Sequence, residues 1–235
     1  MRVLVTRPRA DAEPFATRLH ALGHTTIVEP LIDIVLLDGP ALDLTGVQAL
    51  AFTSANGARA AAHRTRERNV PVVAVGPATA AEAKTLGFAN VSESSGEGVE
   101  GLNRHIQATL DPAAGPILHV TGTVTAGDLK STLTAAGFTA RTGRLYEARA
   151  AESLSGALTA ELSANLVDAA TFFSPRTATL FATLIEAENL ASACRSMTAV
   201  ALSQAVANAL HPLAFREIRA ASLPTTEAML AHLVP

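Results

Sequence analysis

The sequence predicts an α/β protein with mainly parallel sheets. Apolar runs of about five residues alternate with alanine-rich segments that have the period of amphipathic helices. The alternation occurs twice along the chain, with similar motifs in both halves. The chain has 235 residues, of which 49% are hydrophobic and 17% charged, enough to bury one large core or two small ones.

The first half predicts a strand at 2–6 and a helix at 11–22, which Gly23 ends as a C-cap. The extended stretch at 25–37 contains Pro30, which cannot donate to a central ladder, so it predicts a strand followed by a connector. Further along, the pattern predicts strands at 49–53, 72–75 and 116–121 and helices at 56–66, 77–86, 98–110 and 125–136.

The second half begins with another extended stretch, at 139–149. After it, the pattern predicts strands at 169–173, 198–202 and 215–218 and helices at 153–165, 175–187, 203–210 and 225–233. The halves share motifs: 3–6 resembles 117–120, and 52–54 resembles 172–174. This similarity predicts an internal duplication.

The two extended stretches predict where the chain crosses between domains. If 31–37 and 142–149 are paired connectors, residues 1–36 and 148–235 together form a discontinuous α/β domain, and 37–147 form an inserted one. A two-stranded hinge of this kind predicts a cleft between the domains, which is a natural place for a ligand.

Composition excludes several classes of function. The net charge of −3 and the lack of a basic run argue against nucleic acid as a partner. Cys194 is the single cysteine, so we expect no disulfide, no cysteine-based metal site and a cytoplasmic location. Residues 1–6 are too short for a signal peptide, and no apolar stretch approaches the roughly 18 residues of a membrane span, so we expect no membrane partner.

Small or hydroxyl residues stand where predicted strands give way to helices. Such turns expose backbone N–H groups that suit carboxylate or phosphate groups, although the same hydroxyl residues also serve simply as N-caps. Because open α/β sheets bind ligands at the carboxyl ends of their strands, we treat these positions as candidate substrate contacts. They are Ser54, Asn56, Gly76, Thr79, Thr121, Gly122, Ser174 and Ser203.

Two further residues have open interpretations. Arg7 follows the first strand, where it either contacts a ligand or pairs with Asp11 and Glu13. Tyr146 is the only tyrosine and lies in the second extended stretch. Its phenol either packs on the hinge or donates a proton to a departing hydroxyl group.

Competing motifs fail. The segment 122–127 has the glycine spacing of a P-loop, but Asp128 stands where a lysine must reach the phosphates. The chain has no G-x-G-x-x-G opening a helix and no G-x-S-x-G nucleophile elbow.

The ordered set of motifs resembles the uroporphyrinogen-III synthase family along nearly the whole chain. The similar stretches are 3–8 with Leu19 and Gly23, 51–57, 73–80 with Gly87, 137–146 and 171–175. The resemblance implies two flavodoxin-like domains joined by a two-stranded linker, the first built from both chain ends. It also implies a monomer without metal or organic cofactor.

The implied reaction is the cyclisation of hydroxymethylbilane, a linear tetrapyrrole, to uroporphyrinogen III, with loss of water and inversion of the last pyrrole. Tyr146 matches a tyrosine proposed to assist hydroxyl departure in the family. Ser54, Thr79 and Ser174 match hydroxyl positions that line the family's cleft. The chain departs from the family at Ala126, where many members have arginine, and at 203–206, where Ser-Gln-Ala-Val replaces Gly-x-Thr-Thr.

Two alternatives differ in class. One is a catalytically inactive two-domain sensor or binding module for an anionic metabolite, which would bind its ligand without turnover. The other is a nucleotide-using enzyme, against which the missing P-loop lysine counts.

Overall fold

The computed structural model describes residues 1–95, 98–124 and 127–234. Its strands are β1 (Arg2–Val5), β2 (Thr25–Val28), β3 (Ile32–Leu36), β4 (Ala49–Phe52), β5 (Val72–Ala74), β6 (Val91–Glu93), β7 (Ile117–Gly122), β8 (Ala140–Ala150), β9 (Ala169–Phe172), β10 (Thr198–Ala201) and β11 (Glu217–Ala220). Its helices are α1 (Arg9–Ala21), α2 (Ala55–Arg64), α3 (Pro77–Thr85), α4 (Gly98–Thr109), α5 (Leu129–Ala135), α6 (Gly156–Ser163), α7 (Pro175–Ala187), α8 (Gln204–Asn208) and α9 (Thr226–Ala231), with a 3₁₀ segment at Ala191–Ser196.

The chain separates into two units, each with its own sheet. The first unit comprises Met1–Asp33 and Arg149–Pro235, and the second comprises Ile34–Ala148. Helices link most successive parallel strands, as the crossover between two parallel strands usually requires. The predicted α/β class with mainly parallel sheets is therefore confirmed.

In the first unit, the described strands form one parallel sheet in the order β11-β10-β9-β1-β2. Both faces are buried: Leu4 packs in a cluster with Phe172 and Phe181, while Val3 packs with Phe15 on the other face. Burial on both faces explains the continuous apolar run of the first strand, because a strand between two helical layers has no polar side.

In the second unit, the described strands form a sheet in the order β3-β8-β7-β4-β5-β6, with parallel pairing from β8 to β6. The pair β3 and β8 runs in opposite directions, since Leu31 accepts from Ala151 while Leu37 donates to Leu145. Leu50 and Phe52 pack on the side of α2. Ala49 and Ala51 face the other side, towards α4 and α5.

The predicted elements are found with small shifts and two omissions. Strand β6 and the 3₁₀ segment were not predicted. The strand predicted at 215–218 lies at β11 instead, because Phe215 leaves the ladder and packs against Phe172 and Phe181. Residues 125 and 126, where the fifth predicted helix begins, lie outside the described part of the chain, and so does the departure at Ala126. Gly127 has a φ of +82°, and Asp128 caps α5 by accepting from the amide of Ser131 at 3.0 Å, so this helix begins at Leu129.

Candidate active site

The carboxyl edge of the second unit's sheet holds most of the predicted site residues. Ser54 follows β4, Gly76 follows β5, and Thr121 and Gly122 end β7, so parallel pairing places them along one edge. From β4 the chain continues to β5 and β6 on one side, and then to β7 and β8 on the other. The boundary between β4 and β7 is thus the switch point where open α/β sheets form their ligand crevice.

Tyr146 lies at this switch point, against the end of β7. Its phenol oxygen Oη is 3.0 Å from Oγ of Ser54. The same Oγ accepts the amide N–H of Gly57 at 3.2 Å and so caps α2. The hydroxyl groups of Ser54 and Tyr146 therefore form a half-buried pair at the positive end of α2, where developing negative charge is stabilised.

Gly122 lets the tyrosine ring lie against β7. Gly122 pairs with Tyr146 in the ladder, next to an irregularity in register between Thr121 and Gly122. A Cβ atom at Gly122 would lie 2.8 Å from Cε2 of Tyr146, closer than real Cβ contacts permit. Because Gly122 has no side chain, the ring of Tyr146 can lie directly against β7 at this position.

The other predicted positions of this unit either form hydrogen bonds within the protein or are buried. In the first turn of α2, Oδ1 of Asn56 accepts from Arg59 at 3.0 Å, and Arg59 also donates to Glu82 of α3 at 2.7 Å. Thr79 in α3 is 6% exposed and Thr121 is 3% exposed. Gly76 precedes α3 and its carbonyl accepts from Ala80.

The first unit has its own switch point between β9 and β1, where Ser174 and Arg7 follow the two strands. The Arg7 guanidinium lies over the ring of Phe173, with its carbon 4.1 Å from the ring centroid. It also lies 3.7 Å from the carboxylate of Asp11. The Arg7 guanidinium is therefore positioned by two contacts, one with an aromatic face and one with a carboxylate.

Both predicted site serines of this unit cap helices. Oγ of Ser174 accepts from the amide of Thr177 at 3.1 Å, and Oγ of Ser203 accepts from that of Val206 at 3.4 Å. The N-cap interpretation is thus confirmed for Ser54, Ser174 and Ser203. The sequence at 203–206 departs from the family pattern but retains a serine that caps α8.

The sequence did not point to two residues that the structure brings to these edges. Phe173 forms the aromatic face beneath Arg7. His119 on β7 is 5% exposed, and its Nε2 lies 3.3 Å from Oγ1 of Thr53, the residue before Ser54. Burial lowers the pKa of the His119 imidazole below its ordinary value, so it is neutral at pH 7. A histidine inside the apolar run 117–120 was the available signal.

The described residues offer no metal cluster, no membrane-spanning helix and no reactive thiol. Across 1–95, 98–124 and 127–234, no three His, Cys, Asp or Glu side chains are grouped to hold a metal ion. No described helix has the length and apolar character needed to cross a membrane. Burial raises the pKa of the Cys194 thiol to about 11, so the thiol is not a nucleophile at neutral pH.

Comparison with known families decides the identity. The family model described as uroporphyrinogen-III synthase HemD matches residues 13–231. The chain belongs to the uroporphyrinogen-III synthase family. The synthases of this family are cyclising lyases of porphyrin biosynthesis that act on a tetrapyrrole, so the predicted family and enzymatic activity are confirmed. The comparisons give no support to the inactive sensor.

Solved structures of uroporphyrinogen-III synthases share the fold. A uroporphyrinogen-III synthetase from Helicobacter pylori matches with a TM-score of 0.65 and 19% identity, over 99% of this chain and 98% of that one. A mutant uroporphyrinogen III synthase from the extremely thermophilic bacterium Thermus thermophilus matches with a TM-score of 0.54 and 16% identity, over 99% and 97%. No curated protein matches the chain.

Proposed function

We propose that this synthase cyclises hydroxymethylbilane to uroporphyrinogen III with Tyr146 as its catalytic residue. The observation that carries the proposal is the 3.0 Å contact between Oη of Tyr146 and Oγ of Ser54 at the switch point of the second sheet. A tyrosine held at a ligand crevice has the chemistry that the first step needs, which is a proton donor for a poor leaving group.

The reaction begins when the terminal hydroxyl group of the bilane leaves as water. The phenol of Tyr146 donates the proton, the carbon–oxygen bond breaks, and an azafulvene-type cation remains on the bilane. The Oγ–H of Ser54 then donates to the phenolate, whose negative charge also lies near the start of α2. Departure of the hydroxyl as water therefore leaves a phenolate whose charge Ser54 and the start of α2 stabilise.

Ring closure then depends on geometry. The substituted carbon of the last pyrrole attacks the cationic carbon on the first ring to give a spiro intermediate. The bond from that substituted carbon to the bridge of the third ring then breaks. The free α-carbon of the last ring bonds to this bridge, which closes the macrocycle with the last ring inverted. The proton released on closure returns through the medium to the Tyr146 phenolate, and substrate and product differ only by water and connectivity, so no oxidant or reductant is consumed. Unaided closure gives the uninverted isomer, so the enzyme acts mainly by positioning.

The acetate and propionate groups of the bilane require cationic and N–H donors. We propose Arg7 as a carboxylate contact, because its guanidinium is held by Phe173 and Asp11 at the edge of the first unit. The amides that begin α2, α3 and α7 supply further donors. The full proposed substrate-binding set is Arg7, Ser54, Asn56, Gly76, Thr79, Thr121, Gly122, Ser174 and Ser203.

We also propose that the two units are duplicated, flavodoxin-like domains with 1–36 and 148–235 in one and 37–147 in the other. In chain order, the sheet of the first unit reads 2-1-3-4-5, the flavodoxin order. If the first unit is read from β9, so that β1 and β2 come last, its order becomes 3-2-1-4-5. The strands β4 to β8 have that same order, which supports a common origin. A monomeric state and a cytoplasmic location stay predictions.

The test is a coupled assay in which freshly generated hydroxymethylbilane is given to the purified protein. The products are oxidised, and the type I and type III porphyrin isomers are resolved. We expect mainly type III with this protein and only type I in its absence. Type I alone in the presence of folded protein would overturn the proposal.

A further inference from the structure

A buried contact on the far side of the turn that carries Ser54 has no part in the proposed reaction. His119 on β7 is nearly fully buried, and its Nε2 lies 3.3 Å from Oγ1 of Thr53. A buried imidazole nitrogen without a partner destabilises the fold, so this contact fixes the position of Thr53 relative to β7.

The turn is held from both faces of the sheet. Side chains alternate along β4, with Ala51 facing α4 and α5 and Phe52 facing α2. Continuing that alternation, Thr53 faces His119, and Ser54 faces Tyr146. Adjacent residues of one turn are thus hydrogen-bonded on opposite faces.

A single strand, β7, supports both contacts. His119 lies opposite Ala51 in the ladder, and Gly122, three residues later, lies against the ring of Tyr146. A displacement of Thr53 from His119 therefore changes the place of Ser54 relative to the phenol, while the strand beneath the phenol stays fixed.

We propose that His119 is a positioning residue, whose contact with Thr53 keeps Oγ of Ser54 within hydrogen-bond distance of Oη of Tyr146. The inference rests on the proposed catalytic function of Tyr146. His119, which lies outside the proposed substrate contacts, thus holds the hydroxyl groups of Ser54 and Tyr146 in the reactive arrangement. The larger gain is in the rate of the chemical step, because Ser54 contacts the phenol that donates the proton, and neither His119 nor Thr53 is itself a proposed substrate contact.

The chain contains a spectroscopic reporter for this geometry. It has one tyrosine and no tryptophan, so its tyrosine emission comes from Tyr146 alone. This emission responds to hydrogen bonding at the phenol oxygen. The Ser54 contact can therefore be followed in the unmodified protein without a label.

The first variants are Thr53→Val, which removes Oγ1 and keeps the β-branched shape, and His119→Leu. We expect each to change the Tyr146 emission and to lower kcat for type III product about fivefold, the size of one lost hydrogen bond, with a smaller change in KM. The double variant should lose no more than either single one, since both remove one interaction. His119→Gln, whose amide nitrogen can reach the place of Nε2, should restore most of the rate.

The matched control is His63→Gln on the exposed end of α2, which should change neither signal. If Thr53→Val leaves emission and kcat unchanged, or changes only one of them, the inference is overturned. Thr53→Val keeps the buried imidazole and so serves if His119→Leu fails to fold. The proposed function fails separately, through a Tyr146→Phe variant that retains full type III activity.

Discussion

Oη of Tyr146 lies 3.0 Å from Oγ of Ser54, although the two residues are 92 positions apart in the chain. Ser54 is also the N-cap of α2, through the amide of Gly57. A local feature of one helix start and a long-range contact from another strand thus meet at one hydroxyl oxygen. The long-range contact can be removed at Tyr146 while the cap stays, which makes the proposed site testable.

Tyr146→Phe removes only the phenol oxygen. If the phenol is the proton donor for hydroxyl departure, type III formation at saturating substrate should fall about 100-fold, the lower end of what general acid catalysis contributes. If it only holds Ser54, the loss should be about fivefold, as for one hydrogen bond. The isomer-resolved assay measures this, with circular dichroism to show that the fold is intact.

Ser54→Gly separates capping from catalysis. Glycine caps helices at a cost of only a few tenths of a kcal/mol relative to serine, so the thermal midpoint should hardly change. The hydroxyl next to Tyr146 is lost, so type III turnover should fall about fivefold. Thr225→Gly at the N-cap of α9 is the control, because Thr225 makes the same kind of contact with Ala228. Equal activity in the two variants would leave Ser54 with a capping function alone.

Local chemistry let the sequence predict most elements. Helix α7 was predicted with its observed ends, because Ser174 is a strong N-cap and Pro175 suits the first helical position. The short strand β6 was missed because three residues, only one of them apolar, give too little periodicity.

The geometry of the candidate site could not be predicted in the same way. The sequence motifs identify Ser54, Gly122 and Tyr146 as candidate site residues. Their mutual contact, however, depends on the register of β8 on β7 and on the irregularity of that register at Gly122. The contact of Arg7 with Phe173 likewise joins residues that follow β1 and β9, two strands that are distant in sequence and adjacent in the sheet. Neither register nor strand order follows from single-residue preferences.

Gly122→Ala should displace the tyrosine ring. The added Cβ would lie 2.8 Å from Cε2, so the ring or β7 must move. We expect altered tyrosine emission and at least a fivefold loss of type III turnover, about the equivalent of one lost hydrogen bond. Gly143→Ala on β8 is the control, because its added Cβ would make an ordinary 3.7 Å contact with Leu118. A normal emission spectrum in Gly122→Ala would contradict this account.

Arg7→Ala should weaken substrate binding, because it removes a cation proposed to face a carboxylate. We expect KM to rise about tenfold at low ionic strength, equivalent to about 1.4 kcal/mol. The effect should shrink as salt is added, because screening already weakens the wild-type contact. The control is Arg18→Ala on α1, which removes the exposed ion-pair partner of Glu227. An equal KM for wild type and Arg7→Ala at both salt concentrations would remove Arg7 from the proposed set.

The stability of the fold should depend on pH through His119. Burial lowers the pKa of this imidazole in the folded state below its ordinary value of 6.5, so the unfolded chain takes up its proton first as pH falls. The contribution to the free energy of unfolding is therefore complete above about pH 6.5 and is lost as pH falls towards the folded-state pKa. Urea unfolding between about pH 7.5 and pH 5.5 should show a steeper loss of stability for wild type than for His119→Gln. His63→Gln should behave as wild type, since its side chain is exposed. Parallel pH curves for wild type and His119→Gln would show that the imidazole is not held neutral by burial.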